Sequence, residues 1–146
     1  MKILAVDLGD ARTGLAACDR TEFLASPLGV IEKTNQSVVL NDVAIAAKEF
    51  GIGMIVVGYP RNMDGSAGNR AEKCETFARK LHKLTGLPVK LWDERLTTVA
   101  AHQALNATNV RGKKRKSVVD EVAATLILES FLAYKKNNPD MKIDFE

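Results

Sequence analysis

A short run of strand-forming residues near the amino terminus ends in a single acid, and this combination constrains the rest of the chain. Ile3 to Val6 is apolar, Asp7 follows, and the segment from Leu8 to Gly14 favours a turn. Side chains alternate between the two faces of a strand, so Asp7 shares a face with Ile3 and Ala5 at the rim of a core. A carboxylate there is costly unless it is paired, and a divalent cation is a suitable partner. The alternative is that Asp7 only caps a turn.

Composition indicates one globular domain. The chain has 146 residues, of which 46% are hydrophobic and 27% are charged, enough for a substantial core. Cys18 and Cys74 have no metal-like spacing, so we interpret them as reduced apolar residues. No stretch approaches the roughly 20 apolar residues that a membrane span needs. We expect a cytoplasmic protein with one domain over residues 1–137 and a polar, loosely held tail over 138–146.

The positive charge of the chain is concentrated in one segment. The net charge is +3, and five basic residues lie between positions 111 and 116. Outside this segment the chain has 16 basic and 18 acidic residues, so the rest of the chain is slightly acidic. This distribution favours a nucleic-acid contact, although a solvated surface loop is the alternative. We expect a mobile loop whose basic residues are Arg111, Lys113, Lys114, Arg115 and Lys116.

The order of predicted elements indicates an α/β fold. Three closely spaced strands at the start predict an antiparallel meander, and the later alternation of helix and strand predicts parallel crossovers. The expected result is a mixed five-stranded sheet with helices packed on it. After the first strand, the predicted elements are strands at Thr13–Cys18 and Pro27–Ile31, a helix at Ser37–Phe50, a strand at Gly53–Gly58, a helix at Ser66–Lys83, a strand at Pro88–Trp92, a helix from Thr97 or Thr98 to about Asn106, and a helix at Ser117–Tyr134.

Three acids stand where such a sheet gathers its ligands. Asp7 ends the first strand, Glu94 follows the fifth, and Asp120 lies in the first turn of the last helix. Ligands bind outside the carboxyl ends of strands in α/β sheets, and Asp120 is in line with the apolar stripe of its helix. The structural alternatives are that Glu94 pairs with Arg95 and that Asp120 complements the helix dipole.

Three converging carboxylates require cations. Oxygen-only ligands suit Mg²⁺ or Mn²⁺, and two such ions can support phosphodiester cleavage. His82 and His102 have no motif partner and are interpreted as helix-surface residues. Trp92 is expected to pack near the end of its strand.

Four segments of the chain together resemble one family. They are DLGDARTGLA, VVGYPRNMDGSAGNRA, LWDERLTTVAA and KSVVDEVAATLILESFL, which resemble the blocks of the YqgF/RuvX family in order and spacing. That family is described both as Holliday junction resolvases and as pre-16S rRNA nucleases. The resemblance implies an RNase H-like fold, a divalent-metal nuclease, and Asp7, Glu94 and Asp120 as its acidic residues. The chain departs from the family pattern at Asp10, Tyr59 and Asn69.

The favoured hypothesis is a metal-dependent nuclease that matures the 5′ end of small-subunit ribosomal RNA. Arg12, Arg61, Arg70 and the basic segment would position phosphates, with Arg95 a weaker candidate. Branched DNA is the alternative substrate, and junction cutting would need a dimer, whereas we expect a monomer or a weak homodimer. Two other classes stay open. One is a phosphate-binding kinase or ATPase, for which 146 residues supply only one of two domains. The other is a noncatalytic RNA-binding assembly factor.

Overall fold

The sheet has five strands, and the strand that carries Asp7 is at its centre. The structure, a computed structural model, describes residues 1–60, 68–96 and 112–146, without the side chains of residues 96 and 112–121. The strand order is β3-β2-β1-β4-β5. The strands are β1 (Ile3–Asp7), β2 (Thr13–Cys18), β3 (Ala25–Ile31), β4 (Met54–Tyr59) and β5 (Val89–Asp93).

Strand directions confirm both halves of the predicted topology. The pairs β1–β2 and β2–β3 are antiparallel, as expected of a meander. The pairs β1–β4 and β4–β5 are parallel, as expected of helical crossovers. The carboxyl ends of β1, β4 and β5 therefore meet at one edge of the sheet, where Asp7, Tyr59 and Asp93 are the last strand residues.

Helices cover both faces of the sheet. Leu4 and Val6 of β1 pack towards α1 (Gln36–Glu49) and α2 (Asn69–Thr85) in one buried cluster. Ile3 and Ala5, which alternate with them, pack against α3 (Gly112–Asn137) in a second cluster. This double covering explains why β1 and β4 are nearly continuous runs of apolar residues.

The ends of the first two helices follow from local chemistry. Asn35 caps α1, and its side-chain oxygen accepts hydrogen bonds from the backbone N–H groups of Ser37 and Val38 at 2.9 and 3.2 Å. Helix α2 ends at Thr85, two residues after the predicted Lys83, and the N–H of the capping Gly86 donates to the His82 carbonyl. Helix α2 begins at Asn69, three residues after the predicted start at Ser66, and residues 61–67 lie outside the described part of the chain.

The last helix begins earlier than predicted. We expected a basic loop from Arg111 to Lys116 and a helix from Ser117, but α3 already begins at Gly112. Residues 113–116 are therefore helical, and the prediction of a loop is wrong for them. The reason is that lysine and arginine are good helix formers, so their mutual repulsion did not prevent the helix from extending to Gly112. Arg111 and the predicted helix over residues 97–106 lie outside the described residues.

The carboxyl-terminal tail is bound to the edge of the sheet, so the expectation of a loosely held tail is wrong. Phe145 and Val89 exchange two backbone hydrogen bonds, of 2.8 and 3.0 Å, that extend the sheet beyond β5. The Leu91 N–H donates to a carboxylate oxygen of Asp144 at 2.8 Å. The tail thus satisfies backbone groups that an edge strand leaves open. Sequence reasoning weighed its polar residues and overlooked its alternating apolar ones, Met141, Ile143 and Phe145, which pack on the two clusters.

None of the described helices combines the length and the apolar character needed to cross a membrane.

Candidate active site

Asp7 stands at the carboxyl end of the central strand, directly before a compact turn. Val6 is paired with Val57 of β4, and Asp7 is paired with Gly14 of β2. The turn that follows is tight at Gly9, where a Cβ atom would lie 2.1 Å from the Arg12 carbonyl oxygen. No side chain fits that space, so the turn requires glycine. The predicted position of Asp7, half-buried at the rim of the core, is confirmed.

Glu94 reaches Asp7 by crossing over the strand that separates them. Glu94 begins the short 3₁₀ turn Glu94–Leu96 after β5, and β4 lies between β5 and β1. Two strand spacings are about 10 Å, so Glu94 and Asp7 meet only if their side chains extend towards one another over β4 with nothing in the path. The path is open because position 58 of β4 is a glycine. A Cβ atom on Gly58 would lie 2.5 Å from Glu94 Oε1 and 2.8 Å from its Cδ.

The Glu94 side chain is hydrogen-bonded to the Asp7 carboxyl group. Burial, with a hydrogen bond to Asp7 and repulsion by its negative charge, raises the pKa of Glu94 to about 9. At neutral pH Glu94 is therefore protonated, and its O–H donates to the Asp7 carboxylate. The positive charge of Arg70 acts in the opposite direction and favours the ionised form of Glu94. A proton thus occupies the position between two acids where a cation would relieve the same repulsion.

The pKa of Glu94 makes the stability of the metal-free protein depend on pH. The folded chain binds more protons than the unfolded chain between the ordinary value of 4.5 and about 9. Its stability is therefore full below pH 4.5 and falls as pH rises towards 9, by up to about 1.4 kcal/mol per pH unit. With chelator present, wild-type protein should lose stability from pH 6 to 8. Glu94→Gln should remove most of that loss, measured by urea unfolding at each pH.

The control for that experiment is Glu129→Gln, which removes an exposed carboxyl group of α3 and should keep the wild-type dependence. Cys74 does not interfere in this range, because burial raises the pKa of its thiol to about 12. Equal pH dependence in wild type and Glu94→Gln would show that Glu94 is not protonated at neutral pH.

The first turn of α2 contacts the loop that follows Asp7. Arg70 Nη2 donates to the Leu8 carbonyl oxygen at 3.3 Å. One helical turn later, Lys73 Nζ lies 3.8 Å from a carboxylate oxygen of Asp10, in an exposed ion pair. Asp10, an acid at which the chain departs from the YqgF/RuvX pattern, is thus paired with a lysine of α2.

Helix α3 packs on the sheet face that carries Ile3 and Ala5, and its carboxyl end lies near the amino terminus of the chain. Lys135, near the end of α3, binds Glu22 at 2.6 Å, and Glu22 also binds the Met1 amino group at 3.0 Å. The side chain of Asp120 is outside the described part of the structure.

The predicted phosphate-binding residues have different surroundings. Arg12 is half-buried directly before β2 and has contacts within the protein. Arg95, the weaker candidate, binds the neighbouring Asp93 carboxylate, at 2.6 Å for the shortest contact. Arg61 and Arg111 lie outside the described residues, and the side chains of residues 113–116 are not described. Trp92 is buried and packs edge-on against Phe131, as predicted.

Sequence reasoning missed two contributors to the site, Gly58 and Lys73. Gly58 closes the apolar run of β4, and we interpreted it only as a strand boundary. Its role depends on a side chain 36 residues later in the sequence, so no local pattern could indicate it. Lys73 has the appearance of an ordinary exposed helix residue, and only the fold brings it to Asp10.

The donor set fits a hard divalent cation. Asp7 and Glu94 offer carboxylate oxygens, the ligands that Mg²⁺ and Mn²⁺ prefer, and burial with the nearby Asp7 raises the pKa of Glu94, as expected where a cation would be stabilising. Among the described residues, no three acids, histidines or cysteines form a complete metal site. Asp120, the third predicted ligand, is not among the side chains described.

The chain is similar to known proteins over nearly its whole length. A family model described as "RuvX: Holliday junction resolvase" matches residues 1–134. A Carboxydothermus hydrogenoformans protein named "Putative pre-16S rRNA nuclease" is 43% identical over 138 residues, which are 94% of this chain and all of that protein. A Geobacillus kaustophilus protein of the same name is 42% identical over 138 residues, 93% of this chain and all of that protein.

Two solved resolvases share the fold at low sequence identity. The structure of T. thermophilus RuvC in complex with Holliday junction substrate has a TM-score of 0.64 at 14% identity, covering 98% of this chain and 99% of that chain. The fowlpox virus resolvase in complex with Holliday junction DNA has a TM-score of 0.56 at 12% identity, covering 92% and 98%. The fold is therefore the RNase H-like fold of RuvC. The family match over most of its length and the identity to its relatives show that this chain belongs to the RuvX family of nucleases.

Proposed function

We propose that this protein is a divalent-metal-dependent nuclease that processes the 5′ end of pre-16S rRNA during ribosome biogenesis in the cytoplasm. The observation that carries the chemistry is the carboxyl pair of Asp7 and Glu94, held together across Gly58 at the carboxyl edge of the sheet. The substrate is supported by the names of relatives at 43% and 42% identity over nearly the whole chain.

Asp7 and Glu94, with Asp120, would hold Mg²⁺ or Mn²⁺. When bound, such ions neutralise charge on the scissile phosphate and activate water for phosphodiester cleavage. Glu94 must give up its proton for this role, because burial and the neighbouring Asp7 raise its pKa to about 9. Metal binding at neutral pH is therefore coupled to proton release.

Basic residues would hold the nucleic-acid backbone beside these acids. The proposed set is Arg12, Arg61, Arg111, Lys113, Lys114, Arg115 and Lys116. Arg70, which the sequence also predicted for this set, donates to the Leu8 carbonyl oxygen. Residues 113–116 occupy the first turns of α3, and position 120 follows on the same helix. A phosphate bound by this basic segment would thus lie near the acids, and its binding would weaken steeply with salt.

A second substrate, the four-way DNA junction, is favoured by the description of the matched family. The fold neighbours bound to junction DNA are only 14% and 12% identical, however, so they support the fold and not the substrate. Paired cutting of a junction also needs two active sites facing opposite strands, whereas we propose a monomer or a weak homodimer.

The deciding experiment is cleavage of two labelled substrates side by side, a 5′-extended small-subunit rRNA precursor and a four-way DNA junction. Each is incubated with Mg²⁺, Mn²⁺ or chelator. We expect metal-dependent cutting of the RNA at its 5′ extension and little cutting of the junction. Preferential, symmetric cuts in the junction would replace the RNA proposal by a resolvase. Binding of the RNA without cutting under any metal would favour a noncatalytic assembly factor.

A further inference from the structure

The contact between α2 and the loop after β1 assigns Arg70 a role other than phosphate binding. Leu8 directly follows Asp7, and its carbonyl oxygen accepts a hydrogen bond from the Arg70 guanidinium at 3.3 Å. Leu8 itself is buried. A backbone carbonyl at a buried strand end requires a partner, and here a side chain 62 residues away supplies it.

The loop that Arg70 contacts is compact and begins directly after Asp7. The space beside Gly9 is closed by the Arg12 carbonyl oxygen, so the two ends of the turn lie close together. The exposed ion pair between Lys73 and Asp10 adds a second, weaker contact from the same face of α2. Displacement of this loop would therefore displace Asp7 at its base.

The charge of Arg70 acts on the same group of acids. The positive charge of Arg70 lies near Glu94, which belongs with Asp7 to the proposed metal site. A guanidinium has several fixed N–H donors and a permanent charge, so it can hold a carbonyl and offset nearby negative charge simultaneously.

We propose that Arg70 is a positioning residue that clamps the loop after β1 against α2 and so holds Asp7 opposite Glu94. The expected effect on cleavage rests on the proposed nuclease function, whereas the contact between Arg70 and the loop does not. Arg70 acts through Asp7, and it is not assigned contact with the reacting atoms.

The test compares Arg70→Gln, Arg70→Lys and the control Lys80→Gln, which removes an exposed charge from the same helix. The first readout is amide hydrogen exchange of Gly9 to Arg12 in protein free of metal and nucleic acid. Arg70→Gln should raise exchange there by about tenfold, because one hydrogen bond that closes the loop is lost. Lys80→Gln should leave it unchanged.

The second readout separates positioning from phosphate binding. At saturating RNA, Arg70→Gln should lower the single-turnover cleavage rate by about 10- to 100-fold, because displaced catalytic groups cost that much. The Kd for RNA should change by less than about threefold and its salt dependence should stay the same. Arg70→Lys should recover only part of the rate, since an ammonium lacks the fork geometry of a guanidinium.

Each contrary result has its own meaning. Unchanged amide exchange, with a raised Kd and a salt slope lower by about one, would identify a phosphate contact and overturn the proposal. Faster exchange with an unchanged cleavage rate would show a contact that supports the loop only, and would also overturn it. If wild-type protein cuts no substrate, the proposed function fails, while the exchange measurement still decides whether Arg70 clamps the loop.

Discussion

Replacing Asp7 by asparagine should reduce metal-dependent cleavage by roughly 1000-fold or more, equivalent to about 4 kcal/mol of activation free energy. Asparagine has nearly the same shape and keeps one acceptor oxygen, so the local packing should survive. What it removes is the negative charge at the centre of the sheet edge, where the Asp7 carboxyl group is hydrogen-bonded to Glu94. The measurement is single-turnover cleavage at saturating RNA and metal.

Stability distinguishes this loss from unfolding. Without metal, the amide oxygen of Asp7→Asn still accepts the Glu94 O–H, and a half-buried negative charge is removed, so the variant should be at least as stable as wild type in urea. The control is Asp42→Asn, which removes the acid of a surface ion pair with Lys33 on the far side of α1 and should leave the cleavage rate within about twofold. Retained cleavage in Asp7→Asn would show that Asp7 is not a catalytic residue.

Substituting alanine for Gly58 should inactivate the enzyme almost as strongly, without touching an acid. The new Cβ atom would occupy the path of Glu94, 2.5 Å from Oε1 and 2.9 Å from Cγ. Glu94 is a flexible side chain, so it would move aside and leave β4 intact, but its carboxyl group would no longer reach Asp7. We expect cleavage to fall by about 100-fold, the cost of displacing a catalytic group by roughly 1 Å.

The matched control for Gly58→Ala is Gly53→Ala, at the other end of the same strand. There an added Cβ meets only the flexible side chain of Met1, with the sulfur at 3.2 Å. This variant should retain nearly full activity and similar stability. If Gly58→Ala cleaves as fast as wild type, then Glu94 does not need to cross β4. That result would contradict the claim that cleavage requires Glu94 beside Asp7.

Much of this fold could be predicted from local sequence patterns. The apolar run that ends at Asp7 and the glycines after the helices mark elements whose existence depends on neighbouring residues. The order of strands and helices then placed Asp7 and Glu94 at one edge of the sheet, which the parallel pairing of β1, β4 and β5 confirms.

The remaining features depend on contacts between distant segments. Gly58 matters because of Glu94, and Arg70 because of the Leu8 carbonyl. Neither partner can be identified until the chain is folded. The predictions for the tail and for the start of α3 are wrong for different reasons. In the tail, the alternating apolar residues matter more than the polar composition. In the basic segment, helix propensity outweighs the repulsion between like charges.

The central claim is that Asp7 and Glu94 form a divalent-metal site, and Mn²⁺ binding in the absence of nucleic acid tests it most directly. Free Mn²⁺ would be measured by electron paramagnetic resonance during titration of wild type and Asp7→Asn at pH 7.5. We expect wild type to bind Mn²⁺ and Asp7→Asn to bind it at least about tenfold more weakly, since a charged oxygen ligand is lost. Equal affinity in the two proteins would contradict the claim, because the metal would then bind elsewhere.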